Sequence, residues 1–175
     1  SGAIAHYCAL GSAEPSGNAG GSLAVTNSPT TSHQVRSPLK PPFMISGDER
    51  ATSRLLSGII VAVLTGDIDF PGAKDTLGAS LARGARGDNP LATSKSARVV
   101  FDATWHAIEE NVDEKVRVPI VGVLLQVASA VGEELALACA WPQILVLSND
   151  PEGPSRRAAL IGMCAFATLV TSTSA

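Results

Sequence analysis

The chain has 175 residues, 45% hydrophobic and 17% charged, with 13 basic against 16 acidic side chains and a formal net charge of -3. That length suits one domain or two very small ones and excludes a multi-module machine. The apolar share supports a packed core rather than disorder, and the slightly acidic balance offers no field for a polyanion, so no nucleic-acid partner is expected.

Cys8, Cys139 and Cys164 are far apart and odd in number, which fits neither a disulfide scaffold nor a CxxC knuckle and suits a reducing compartment. The chain opens on Ser1 without a basic-then-apolar leader and reads as an excised piece. Its longest apolar stretch, 158–170, falls short of the roughly 20 residues that cross a bilayer. Arg156 and Arg157 would suit an interfacial helix there, but an ordinary buried helix is the plainer reading, and no membrane partner is expected.

Residues 1–46 are rich in Gly, Ser, Thr and Pro and read as a β-rich part, with strand-like pieces at 3–10, 22–27 and 42–46 around Pro29, Pro38, Pro41 and Pro42. From Gly47 the pattern changes. Leu55, Leu56, Ile59, Ile60 and Val63 form one apolar stripe of a helix over 53–64, capped by Thr52 or Ser53. Turn signals at Gly66-Asp67, Pro71-Gly72 and 87–90 frame a strand over 75–81. A helix over 90–111, a buried strand over 116–125, a helix over 132–140, a short strand over 144–147 and a last helix over 155–170 follow. Helices alternating with buried strands make the second part, 47–175, α/β-like. The expected class is α+β, in a single domain spanning 1–175 without internal repeats.

Several chemistries lack their residues: there is no Gly-x-Ser-x-Gly elbow, no phosphate loop, no dinucleotide fingerprint and no His-Glu-x-x-His pair. Asp102 and His106, four apart on the second helix, could join a serine as a triad or be a solvated pair. Lysine is scarce, so each one can be weighed. Lys40, Lys74 and Lys115 sit among prolines or beside acids, whereas Lys95 has Leu91, Ala92 and Val99 at helical spacing. An amine sheltered there would lose its charge more readily and could serve as a general base; the alternative is a lysine that snorkels from the edge of a core stripe. Ser53, at the start of the first apolar helix, is the candidate nucleophile, since unpaired N–H groups at a helix start can hold an oxyanion. It could equally be a cap, and Ser57 lies one turn further in.

Ser53, Thr76 in Asp75-Thr76-Leu77-Gly78 and Lys95 in Ser94-Lys95-Ser96-Ala97 follow one another at intervals of 23 and 19 residues. That order resembles the Ser/Lys dyad proteases of the Lon type. The segment 48–55 departs from the Lon pattern around the serine and no ATPase module accompanies it, so the chain looks more like the protease with which birnaviruses cut their own polyprotein. In that family cuts fall after Ser/Thr-x-Ala and before Ser/Ala-Gly. The chain starts Ser1-Gly2 and ends Thr173-Ser174-Ala175, which resemble the two halves of such a site.

The resemblance implies a serine endopeptidase of the host cell cytoplasm acting on a viral polyprotein, a capsid precursor with its neighbouring protein, and releasing its own termini without a cofactor or metal. Ser53 Oγ would attack the alanine carbonyl, neutral Lys95 would take and return the proton, and Thr76 would orient the lysine. An extended substrate would add to a strand edge, with side chains alternating at period two. Thr173, Ser174 and Ala175 would form a product tail able to enter an active site and associate copies of the chain. Two readings compete: a non-catalytic α/β binding or assembly module, and a Ser/His/Asp hydrolase using His106.

Overall fold

A computed structural model describes residues 45–87 and 89–173, and nothing of the side chains of 90–92 or 173. The chain divides after Val35, and every described residue belongs to the unit Arg36–Ala175. The regular elements among these residues are all helical: α1 (Gly47–Thr65), α2 (Ala73–Arg86), α3 (Pro90–Glu110), α4 (Glu114–Val131), α5 (Glu133–Leu135), a π-helical stretch (Ala136–Ala140), α6 (Trp141–Ser148) and α7 (Gly153–Thr173). No strand occurs among them, which overturns the α+β expectation. The strand-like pieces at 3–10 and 22–27 lie outside the described residues, as does 42–44; Ile45 and Ser46 lead directly into α1.

Each misread strand has a physical reason. In 116–125 the continuous apolar run suits a buried helix as well as a buried strand. Asp113 settles its start by capping, its carboxylate accepting the Lys115 N–H at 2.9 Å. Pro119, which cannot donate to a sheet ladder, argues against a central strand, and α4 takes it in its interior. The buried residues Val116, Arg117, Ile120, Val121, Leu124, Val127 and Ala128 then follow the helical period, with Val123 buried beside them. Over 75–81, Leu77 and Leu81 belong to a row of four-residue spacing, Ala73, Leu77, Leu81 and Ala85, that turns one face of α2 inward. The short run Ile144–Leu147 continues the helix that begins before it.

α1 packs on α3, α2 lies against α3 and α4, α4 carries α7, and α7 pairs with α6. Phe101, Ile120, Leu124, Ile144, Leu147 and Phe166 fill the interior between them. Close approach is set by two glycines. A Cβ on Gly78 would run into the Gln126 side chain of α4, and one on Gly162 would run into Val121 Cγ1, so α2 and α7 both approach α4 through a glycine.

Several polar groups inside this core are paired, although the buried Ser155 hydroxyl has no hydrogen-bond partner among the described residues. Thr104 Oγ1 donates to Gln143 Oε1 at 2.8 Å, and Gln143 Nε2 donates to the carbonyls of Phe101 (2.8 Å) and Cys139 (3.1 Å), which fastens α3 to the π-helical stretch and α6. Arg117 donates from Nε to the Asn111 carbonyl (2.6 Å) and from Nη2 to the Ile108 carbonyl (3.1 Å), and pairs through Nη1 with Asp150. The Asp150 carboxylate also accepts the Glu152 N–H at 2.8 Å. One buried guanidinium therefore holds the end of α3, the start of α4 and the turn between α6 and α7.

Gly58 and Gly162 are both inside helices, yet only Gly162 faces a neighbour. Gly58→Ala is expected to stabilise by about 0.5–1 kcal/mol through helix propensity. Gly162→Ala is expected to destabilise by about 1–3 kcal/mol, because Val121 is buried and stiff at χ1. Urea titrations of the two variants check the opposite signs.

Candidate functional site

The stripe expected on α1 is real as periodicity but rotated in space. Ile60 and Val63 are buried as expected, with Leu64 beside them, while Leu55 is 73% and Ile59 50% exposed and the hydroxyls of Ser53 and Ser57 face inward. The cap of α1 is Ser46 rather than Thr52 or Ser53. Ser46 Oγ accepts the Glu49 N–H (3.4 Å) and Glu49 Oε2 accepts the Ser46 N–H (2.8 Å), a reciprocal box that starts the helix well before the apolar residues. The Ser46-x-x-Glu49 spacing was there to be read.

With the start fixed at Ser46, Ser53 falls near the end of the second turn, against α3. Its hydroxyl has no exposed surface and donates to Asp102 Oδ2 at 2.6 Å. The same carboxylate oxygen lies 3.4 Å from His106 Nε2, and His106 Nδ1 lies 3.9 Å from Glu110 on the outer side of α3. Ser53, Asp102 and His106 thus meet, but in an order a hydrolase does not use. In a serine triad the imidazole stands between hydroxyl and carboxylate. Here the carboxylate stands between hydroxyl and imidazole, so the serine proton faces an acid that is a poor base, and the imidazole is on the far side of it. A buried carboxylate costs several kcal/mol unless it is bonded, and Ser53 and His106 are the partners that keep Asp102 in place.

The other dyad candidates lie elsewhere. Lys95 is exposed on α3, with no hydrogen bond or ion pair among the described residues. Thr76 is exposed on α2 and donates to the Gly72 carbonyl at 2.9 Å, an ordinary bond one turn back along its own helix. No hydrogen bond among the described residues joins Ser53, Thr76 and Lys95. Thr173 ends α7, and Ser174 and Ala175 lie outside the described residues. Cys139 offers no nucleophile either, since burial pushes its thiol up to about 11 and leaves it protonated near neutrality.

Lys95 nevertheless marks a surface feature. With Glu49, Thr52 and Ser96 it borders a groove of about 610 Å³ between α1, α2 and α3, lined further in by Leu56, Ile59, Leu77, Leu81, Val99 and Val100. The sequence placed Val99 beside Lys95 correctly, but the stripe it begins is the wall of an open groove and not a closed core. Comparison of the chain with protein-family models, with curated proteins and with solved structures finds no match.

Glu49 links the groove to the helix cap. The Ser46 N–H and hydroxyl hold its carboxyl below the usual range, with smaller help from Lys95 and Arg98 across the gap. A carboxyl whose pKa is depressed on folding stabilises the fold above its unfolded value, and that stability disappears as the pH falls through the folded value. Glu49→Gln keeps the box but not the charge. It is expected to melt below wild type at about pH 7 and with wild type at about pH 2, by circular dichroism.

Proposed function

We propose that the chain is a helical binding or assembly module rather than a peptidase. The observation that carries this reading is the orientation of α1, whose serines point into the core while Leu55 and Ile59 point out. A helix of ordinary sidedness would bury the aliphatic side chains and solvate the hydroxyls; buried polar groups and large exposed apolar ones are the informative exceptions to burial. The inward hydroxyl of Ser53 answers the need of Asp102. Of these outward side chains Ile59 borders the groove, with Leu56 beside it, and an apolar groove is the kind of surface that takes a ligand or a partner.

The peptidase alternative asks for a serine that can reach a scissile carbonyl and pass its proton to a neighbouring amine. Ser53 is enclosed and bonded to Asp102, and Lys95 stands in water without the dry surroundings that dyad chemistry requires. The hydrolase alternative asks for His106 beside the hydroxyl, where the Asp102 carboxylate lies instead.

Self-processing separates these readings. The chain is expressed with short extensions that restore Ser/Thr-x-Ala followed by Ser/Ala-Gly at both ends, as wild type and as Ser53→Ala, Lys95→Ala, His106→Ala and Lys74→Ala. Mass spectrometry is expected to find all five uncut. Cleavage in wild type and Lys74→Ala that is lost in Ser53→Ala would contradict the module; its further loss in Lys95→Ala or in His106→Ala would say which catalytic base is at work.

A further inference from the structure

We propose that the groove between α1, α2 and α3 is the docking site of the chain's own preceding segment, 36–44, laid back along α1 with Leu39 and Phe43 against the aliphatic side chains of the groove. This rests on the reading of the chain as a binding module and names the occupant that any outside ligand or partner has to displace.

Three observations select this occupant. The first is where the segment joins the helices. Ser46, the cap of α1, exchanges hydrogen bonds with Glu49, and Glu49 borders the groove, so the chain enters α1 at the groove's own edge, where Ile45 is half-buried. Thr52, Leu56 and Ile59 continue from Glu49 as a single stripe of α1 that lines the groove and runs away from this entry. Ile59 lies about 20 Å along the helix from the cap at 1.5 Å per residue. An extended segment rises about 3.1 Å per residue, so the six positions from Ile45 back to Leu39 cover nearly the same distance.

The second is the division of the chain. It falls after Val35, so the segment 36–44 goes with the helices and not with the residues before it. The third is composition. The groove's walls are helices whose backbone groups are bonded internally, so an ordinary peptide laid there would leave its own N–H groups without partners. Pro38, Pro41 and Pro42 have no N–H to leave unpaired, and their fixed φ favours an extended backbone. Leu39 and Phe43 bring apolar surface to set against Leu56, Ile59 and Val99. Tethering adds to this: a segment joined directly to the groove's edge is present at an effective concentration of about millimolar, which a separate peptide of the same composition has to exceed.

Disulfide trapping in the full chain tests the proposal. Cys8→Ser and Cys164→Ser leave the buried Cys139 as the one native thiol. In that background Lys40→Cys is paired either with Ile59→Cys, in the groove, or with Arg54→Cys, which is exposed on α1, outside the groove lining and nearer the cap. Ile59 is half-exposed and Lys40 precedes α1, so the helices do not depend on either side chain. Oxidised glutathione closes the bond and mass spectrometry of the monomer reads it. A segment that merely dangles reaches Arg54→Cys at least as readily as Ile59→Cys. A docked one is expected to close the Ile59→Cys pair at least about tenfold faster, and adding Leu39→Ser and Phe43→Ser is expected to bring the two rates within about twofold of each other.

Equal rates for the two pairs, or faster closure with Arg54→Cys, would overturn the proposal. So would a preference for Ile59→Cys that survives Leu39→Ser and Phe43→Ser. A cross-link to Ile59→Cys found only between two chains would replace the tethered segment by that of a second copy. Equal rates with the chain uncut remove this occupant and leave the module, whereas self-cleavage removes the module itself.

Discussion

The hydrogen bond from Ser53 to Asp102 sits where α1 meets α3, and it decides how α1 is turned. A carboxylate removed from water has to be bonded, and α3 itself supplies only His106, one turn away and on the solvent side. The remaining partner must come from the neighbouring helix. Ser53 fills that role, and because side chains on a helix are locked in register, Ser57 follows it inward and Leu55 and Ile59 are carried outward. The exposed apolar wall of the groove is the geometric consequence of satisfying one buried acid.

The rest of the core follows the same rule at longer range. Arg117 bonds the carbonyls near the end of α3 and pairs with Asp150 before α7, and Gln143 bonds the Phe101 carbonyl from α6. Apolar contact alone would let these helices slide on one another; directional bonds between enclosed groups favour one arrangement. Glycines at 78 and 162 then bring α2 and α7 close to α4. Among what is left accessible is the groove between α1, α2 and α3, with Glu49 and Lys95 on its border and aliphatic side chains further in. Both the sealed serine and the open groove arise from one packing solution.

Much of this was legible locally. The spacing of Ile60 and Val63 gave α1, the run 90–111 gave α3, and 155–170 gave α7 nearly to its ends. The strands failed where the residues were continuously apolar, as at 116–125, because a helix packed on several sides and a buried strand are written in the same letters. Around 75–81 the repeat of four was present, but the turn signals at Gly66-Asp67, Pro71-Gly72 and 87–90 on either side made the segment read as a strand. At the site, Ser53, Asp102 and His106 were each singled out. The pairing of Asp102 with His106 followed from their spacing of four, but that of Ser53 with Asp102 did not, since the two are 49 positions apart and nothing in either neighbourhood states which helix faces which. Of the stripe read around Lys95, Val99 borders the same groove and the side chains of Leu91 and Ala92 lie outside the described residues; the lysine itself is exposed, and its exposure depends on the rotation of α1, which no local pattern encodes.

The orientation of α1 turns on the serine being a structural partner of the acid, and a double-mutant cycle on Ser53→Ala and Asp102→Ala measures that directly. Urea unfolding of the wild type, both single variants and the double variant should give a coupling of roughly 1.5–3 kcal/mol, the range for a hydrogen bond to a charged group. A coupling near zero, with Ser53→Ala as stable as wild type, would mean that the hydroxyl does not hold the acid and that the orientation of α1 has another cause.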